Sequence, residues 1–145
     1  DNAFALLQPR INQEQVETVI EELSSFQVLA NDVRLEQVFI NLISNALDAM
    51  QLSQNKRLTV SCQSDTKTVY IHFSDTGSGI DSDHLLQLFD PFFSTKDVGV
   101  GLGLGLTISY SIIKTMGGDL SARNSASGAV FSIRLRAVSK NEMKL

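Results

Sequence analysis

The segment Thr68–Asp75 alternates strictly. Val69, Ile71 and Phe73 are apolar, while Thr68, Tyr70 and His72 are more polar. A period of two predicts a strand with one buried face. Continued two residues further, the same phase places Asp75 on the apolar face, and Gly77 and Gly79 then break the strand. A buried carboxylate without a partner costs several kcal/mol or takes up a proton, so Asp75 needs a donor from the protein or from a ligand.

The strongest helical pattern is NDVRLEQVFINLISNALDAM. Leu35, Val38, Phe39, Leu42, Ile43, Ala46, Leu47 and Met50 keep one apolar stripe, with Asn31 or Asp32 as the cap. DNAFALLQPRI predicts a short first helix, VETVI and FQVLA short strands, and LTVSCQS a strand joined to TVYIHFSD by a turn near Asp65–Lys67. SDHLLQLF predicts a short helix, DPFFSTKDVGVGLG a glycine-rich loop, and LGLTISYSIIKTM a helix ended by Gly117-Gly118. GDLSARNS and AVFSIRLRAV predict the last two strands, and SKNEMKL a polar tail. Helices mixed with hairpin-connected strands predict an α+β fold, a two-layer α/β sandwich, rather than a doubly wound parallel sheet.

A chain of 145 residues is the size of one domain with a sizeable core. Its net charge of −4 argues against nucleic acid or an anionic membrane as partner. The single cysteine, Cys62, excludes an internal disulfide and alternates with Leu58 and Val60 as a buried strand residue. No apolar run approaches a membrane span. The chain begins at Asp1, so it reads as a fragment of a longer protein.

Three groups of residues carry candidate chemistry. On the long helix Asn41 and Asn45 share a face with Asp48 beside the apolar stripe. They are either its solvated flank or a source of hard carboxamide oxygen for Mg²⁺, which is often held by few protein groups plus phosphates. Asp75 with Gly77 and Gly79 is either a carboxylate that caps its own turn or an acceptor for the exocyclic amine of adenine, with glycines that admit a flat base. Gly99, Gly101, Gly103 and Gly105 precede a helix, where freed backbone N–H groups favour an anion. No Gly-Lys-Ser/Thr follows them, so this is not a Walker loop. Lys96 lies close enough in sequence to neutralise phosphate.

In this order the motifs resemble the GHKL ATPase superfamily, and most closely the catalytic ATP-binding domain of bacterial sensor histidine kinases. LEQVFINLISNALDA is similar to its N box, DTGSGI to its G1 box, DPFFSTK to its F box and GLGLGLTIS to its G2 box. The resemblance covers nearly the whole chain, with residues 1–138 as the domain and 139–145 as a tail. It implies the GHKL ATP-binding sandwich, a mixed and mostly antiparallel sheet covered by helices. ATP and Mg²⁺ are the implied cofactors. By motif position Asn45 is the Mg²⁺ ligand, Asp75 reads adenine, Gly77 and Gly79 line the base, and Asn41 and Lys96 stand at the phosphates. Asp48, Ile80, Phe89, Leu102 and Leu104 complete the implied nucleotide site. Gly101, Gly103 and Gly105 hinge a lid of about 90–103 and present amides to phosphate.

One position separates the branches of that superfamily. Where its hydrolytic and serine-kinase members carry a general-base Glu, four residues before the metal Asn, this chain has Asn41. An amide does not take a proton from water or serine at neutral pH. A neutral histidine acceptor needs less help. Glu36 belongs to the pattern without a role as base. Neither His72, on the outward strand phase, nor His84, in SDHLLQLF, lies in a His-Glu-rich acceptor helix. The resemblance therefore implies transfer of a γ-phosphoryl group to a histidine on a separate dimerisation and phosphoacceptor domain upstream, with a response regulator as the parent's partner. It implies a homodimeric parent, an inner-membrane sensor with this domain on the cytoplasmic side, and a monomeric fragment. A self-contained ATPase or serine kinase and a non-catalytic interaction domain are the rivals. The family often carries Thr or Ser where SGAVF has Ala129, which puts more of the adenine contact on Asp75. The PFFSTK and GLGLGL forms resemble kinases that sense dicarboxylates or nitrogen status.

Overall fold

The computed structural model describes residues 2–21, 32–65, 67–80 and 102–136. Its elements are α1 (Asn2–Gln13), β1 (Glu17–Glu21), α2 (Asp32–Ala49), β2 (Arg57–Ser64), β3 (Thr68–Asp75), α3 (Leu102–Thr115), β4 (Asp119–Asn124) and β5 (Ala129–Arg136). The strands form one five-stranded sheet in the order β1-β2-β3-β5-β4. Among the described strands only β1 and β2 pair in parallel, and α2 lies in the crossover that a parallel pair requires. The other pairs are antiparallel. The expected α+β sandwich with a mostly antiparallel sheet is therefore present.

The sheet is two-faced because its strands alternate. On β3, Val69, Ile71, Phe73 and Asp75 are buried. In register beside them stand Cys62, Val60 and Leu58 of β2 and Leu135, Ile133 and Phe131 of β5. The stripe of α2, with Val38, Leu42, Ile43, Ala46, Leu47 and Met50, packs into the same core with Leu106, Ile112 and Ile113 of α3. Phe39 meets Phe73 with ring centroids 5.6 Å apart. On the opposite sheet face His72 bonds Ser132 through Nδ1 at 2.7 Å and stacks on Tyr70. Burial, and secondarily the charge of Arg123, lower the His72 pKa. His72 is thus a structural residue on the outer sheet face.

Helix ends follow local chemistry. At the end of α3, Gly117 has φ +80° and the Gly118 N–H reaches back to the Ile113 carbonyl at 2.9 Å, which closes the last turn. Gly118 has a second reason to lack a side chain, since a Cβ there would lie 2.2 Å from the Arg134 carbonyl oxygen. Gln15 ends α1 in the same left-handed way, with φ 57°. Helix α1 runs two residues beyond the expected DNAFALLQPRI and contains Pro9. Arg10 holds that end, bonding Glu14 and reaching Asp48 of α2 at 2.5 Å. Helix α3 begins at Leu102, two residues earlier than the pattern predicts. Its glycines fall in the first turn, where N–H groups need no intrahelical partner. FQVLA, SDHLLQLF and the tail lie outside the described residues.

Ile113 is fully buried between α3 and the sheet. Ile113→Ala should cost about 2–5 kcal/mol in urea unfolding, and a loss under about 1 kcal/mol would contradict the packing of α3 described here.

Candidate functional site

The inward phase of the central strand delivers Asp75 to the edge of the core, with 3% of its surface exposed. Its Oδ1 accepts the Gly77 N–H at 2.9 Å and the Ala129 N–H at 3.3 Å. Burial raises the Asp75 pKa, and these two amides oppose the rise. The protein thus supplies part of the partner that the sequence demanded, in the form of a turn cap. Both described bonds go to one oxygen. No hydrogen bond to Oδ2 is made by the described residues.

The backbone around this carboxylate is packed to contact. A Cβ on Gly77 would lie 2.5 Å from the Ala49 carbonyl oxygen, so the loop after β3 rests directly on the end of α2. A Cβ on Gly128 would lie 2.4 Å from the Asp75 carbonyl oxygen, 2.8 Å from its Oδ1 and 2.9 Å from the Gly77 nitrogen. Only glycine lets the β4–β5 turn approach the carboxylate so closely. Thr76 fixes the other side, donating to the Asn55 carbonyl at 2.7 Å and accepting the Arg57 N–H at 2.9 Å. Gly79 has φ +80°. Next to it, Ile80 exchanges two bonds with the Asn124 amide, N–H to Oδ1 at 2.7 Å and Nδ2 to the carbonyl at 2.6 Å.

Helix α2 brings Asn41 and Asn45 to the same side. The Asn41 Nδ2 donates to Ser109 Oγ at 3.0 Å and to the Gly105 carbonyl at 3.4 Å, which ties α2 to the first turns of α3. The Asn45 Nδ2 is buried without a hydrogen-bond partner among the described residues. A buried amide N–H without a partner costs free energy, and which end of a carboxamide is nitrogen and which oxygen is assigned from its surroundings. This group fits an oxygen ligand for a hard cation that draws its other ligands from phosphate and water. No cluster of three or more His, Cys, Asp or Glu able to hold a metal exists among the described residues. Asp48 has another partner. Its carboxylate Oδ1 accepts a hydrogen bond from Arg10, which joins α2 to α1.

The structure joins Asp75 and Gly77 to the end of α2 at Ala49, Ile80 to Asn124 at the end of β4, and Asn41 of α2 to Gly105 and Ser109 of α3, with Asn45 one turn further along α2. Leu102, Gly103 and Leu104 belong to the first turn of α3. Phe89, Lys96 and Gly101 lie outside the described residues, as does most of the expected lid. Sequence reasoning missed Thr76, Ser109, Asn124 and Gly128 as working parts. Ser109 had a signal, since it falls in phase with Leu106 and Ile113 on a buried helix face. Asn124 had a weaker one, an Asn at a strand end. Thr76 had none.

Comparison with known proteins agrees with this geometry. A profile described as histidine kinase-, DNA gyrase B- and HSP90-like ATPase matches residues 30–139, and the chain belongs to that family. Among curated proteins it is 44% identical to the sensor protein FixL of Bradyrhizobium diazoefficiens over 116 residues, covering 79% of this chain and 23% of FixL. It is 39% identical to the C4-dicarboxylate transport sensor protein DctB of Rhizobium meliloti over 110 residues, covering 76% of this chain and 17% of DctB. The chain thus spans less than a quarter of these relatives. Among solved structures, the nucleotide-free catalytic domain of histidine kinase ThkA superposes with a TM-score of 0.83 at 28% identity, over 93% of this chain and 88% of that one. The chain is an ATPase domain of the sensor histidine kinase type.

The raised Asp75 pKa gives a pH signature. A carboxyl raised above its ordinary 3.8 makes the folded chain bind more protons than the unfolded chain between the two values. Its stability contribution is full below 3.8 and declines as pH rises through the raised folded value. Asp75→Asn keeps an oxygen for the Gly77 and Ala129 amides and has nothing to titrate. Urea unfolding across this pH range should show the variant gaining on wild type as pH rises, while a constant difference would show that Asp75 is not raised.

Proposed function

We propose that this chain is the catalytic domain of a two-component sensor kinase. It binds ATP with Mg²⁺ and transfers the γ-phosphoryl group to a histidine on a separate dimerisation and phosphoacceptor domain. The observation that carries the reading is Asp75, a buried carboxylate whose described bonds both go to Oδ1, set among close-packed glycines. Oδ2 accepts the exocyclic amine of adenine, and Gly77, Gly79 and Ile80 line the base. Ala129 has no hydroxyl to assist, but its backbone N–H holds the carboxylate. Asn45 holds Mg²⁺, which neutralises phosphate charge when bound. Asn41, already oriented by Ser109, faces the phosphates, and Lys96 and the amides of the G2 glycines add positive charge there. Catalysis by this chain is positioning and charge neutralisation.

A self-contained ATPase or serine kinase is the weaker reading. Such activity needs a base beside the metal ligand. Asn41 is an amide engaged with α3, and Asp48, the carboxylate on that helix face, is tied to Arg10. Residues 1–138 act as the domain, and its partners are the acceptor domain of the parent and, through it, a response regulator. The parent is a homodimeric sensor at the inner membrane with this domain on the cytoplasmic side, while the isolated domain is a monomer. Among the described residues no helix is long and apolar enough to cross a membrane. The likeness to the C4-dicarboxylate transport sensor protein DctB favours a dicarboxylate input for the parent.

Calorimetric titration with a non-hydrolysable ATP analogue, with and without Mg²⁺, tests the site. Asp75→Asn should weaken binding by an order of magnitude or more, because a hydrogen bond to a charged group is worth about 1.5–3 kcal/mol. Unchanged affinity would sink the adenine assignment. Asn45→Ala should bind nucleotide without the gain that Mg²⁺ gives wild type, and a normal Mg²⁺ response would place the ligand elsewhere.

A further inference from the structure

The segment Gly77–Gly79 is held at both ends by side chains from opposite sides. Before it, Thr76 is bonded to the α2–β2 connection through the Asn55 carbonyl and the Arg57 N–H. After it, the Asn124 carboxamide bonds both the N–H and the carbonyl of Ile80, at 2.7 and 2.6 Å. The fit is close, since a Cβ on Gly79 would lie 3.0 Å from the Asn124 Oδ1. Asn124 ends β4 in register with Ala129, the residue whose N–H donates to Asp75. One rung of the β4–β5 ladder therefore serves both the carboxylate and the loop beyond it.

We propose that Asn124 is a positioning residue for nucleotide selectivity, fixing the Gly79–Ile80 backbone at the height at which a purine stacks beside the Asp75 carboxylate. The inference rests on the nucleotide reading above. A side chain that pairs with both polar groups of one residue acts like an added strand rung, and sets position and rotation together. Neither aspartate nor serine reproduces it, because the site needs one donor and one acceptor in a plane. A loop held in its bound form avoids an ordering cost on binding. Adenine presents an amine to Asp75 where guanine presents a carbonyl oxygen, so a correctly placed loop shows itself as a preference for adenine.

The test is titration of the 145-residue chain with Mg²⁺ and non-hydrolysable ATP and GTP analogues, for wild type and Asn124→Ala. The expected result is binding of the adenine nucleotide weakened by about tenfold, with the adenine-over-guanine preference reduced by a similar factor and the gain from Mg²⁺ unchanged. A purely structural Asn124 would lower the melting temperature and leave the preference intact, which overturns the proposal. If Asn124→Ala does not fold, Asn124→Asp carries the test. It keeps the acceptor for the Ile80 N–H, loses the donor, and should also lose preference; a wild-type preference in that variant overturns the proposal. Wild-type chain that binds neither analogue overturns the nucleotide reading and this inference with it. Wild-type binding with an unmoved variant overturns this inference alone.

Discussion

A carboxylate placed on the inner face of a central strand forces its surroundings to answer for it. Burial raises the Asp75 pKa, and among the described residues the amides of Gly77 and Ala129 oppose the rise. Those amides come from Gly77 in the following turn and from Ala129 on the neighbouring strand. To bring them in, the chain accepts glycine at 77 and 128, where any side chain would collide with main chain. The β3 terminus, the end of α2 and the β4–β5 turn are fixed relative to one another by this one group. A hydrophobic residue at 75 would fill the core with less difficulty. Both described bonds to the carboxylate go to Oδ1, and the proposed adenine contact falls to Oδ2.

Helix α2 connects the parts. Its apolar stripe forms much of the core, and its polar edge presents Asn41 and Asn45. Ion pairing with Arg10 anchors one side of the helix to α1, and the Asn41 amide anchors another to α3. An amide at position 41 has consequences for chemistry as well as packing. It donates to Ser109 while offering no base, and so suits transfer to an acceptor that is nucleophilic without proton abstraction.

Much of this was legible in the sequence because the patterns were long and regular. The alternation in β3 located Asp75 and its burial. The stripe of α2 located the two asparagines, and the strands read as hairpins of a mostly antiparallel sheet, while the parallel pairing of β1 with β2 emerged only from the structure. Less legible was where α3 begins. Glycine weakens helix propensity, so the local pattern favours loop through Gly103, yet the first turn tolerates it and the helix begins at Leu102. Asp48 shared a helix face with the asparagines, and only the position of α1 showed that Arg10 takes its carboxylate.

The sequence by itself determined most of the buried positions and the face of each element they share, although Cys62, expected to be buried, is only partly so. Periodicity and residue type are local properties, readable along the chain. Tertiary structure alone decided the contacts between distant segments: Ala129 to Asp75, Asn124 to Ile80, Ser109 to Asn41 and Thr76 to Asn55. Each is a hydrogen bond of short reach, so it exists only after the core has set the backbone positions to within a few tenths of an ångström. Hydrophobic burial tolerates small displacements and can be read from pattern; hydrogen-bond geometry does not tolerate them, and is fixed only in the folded chain.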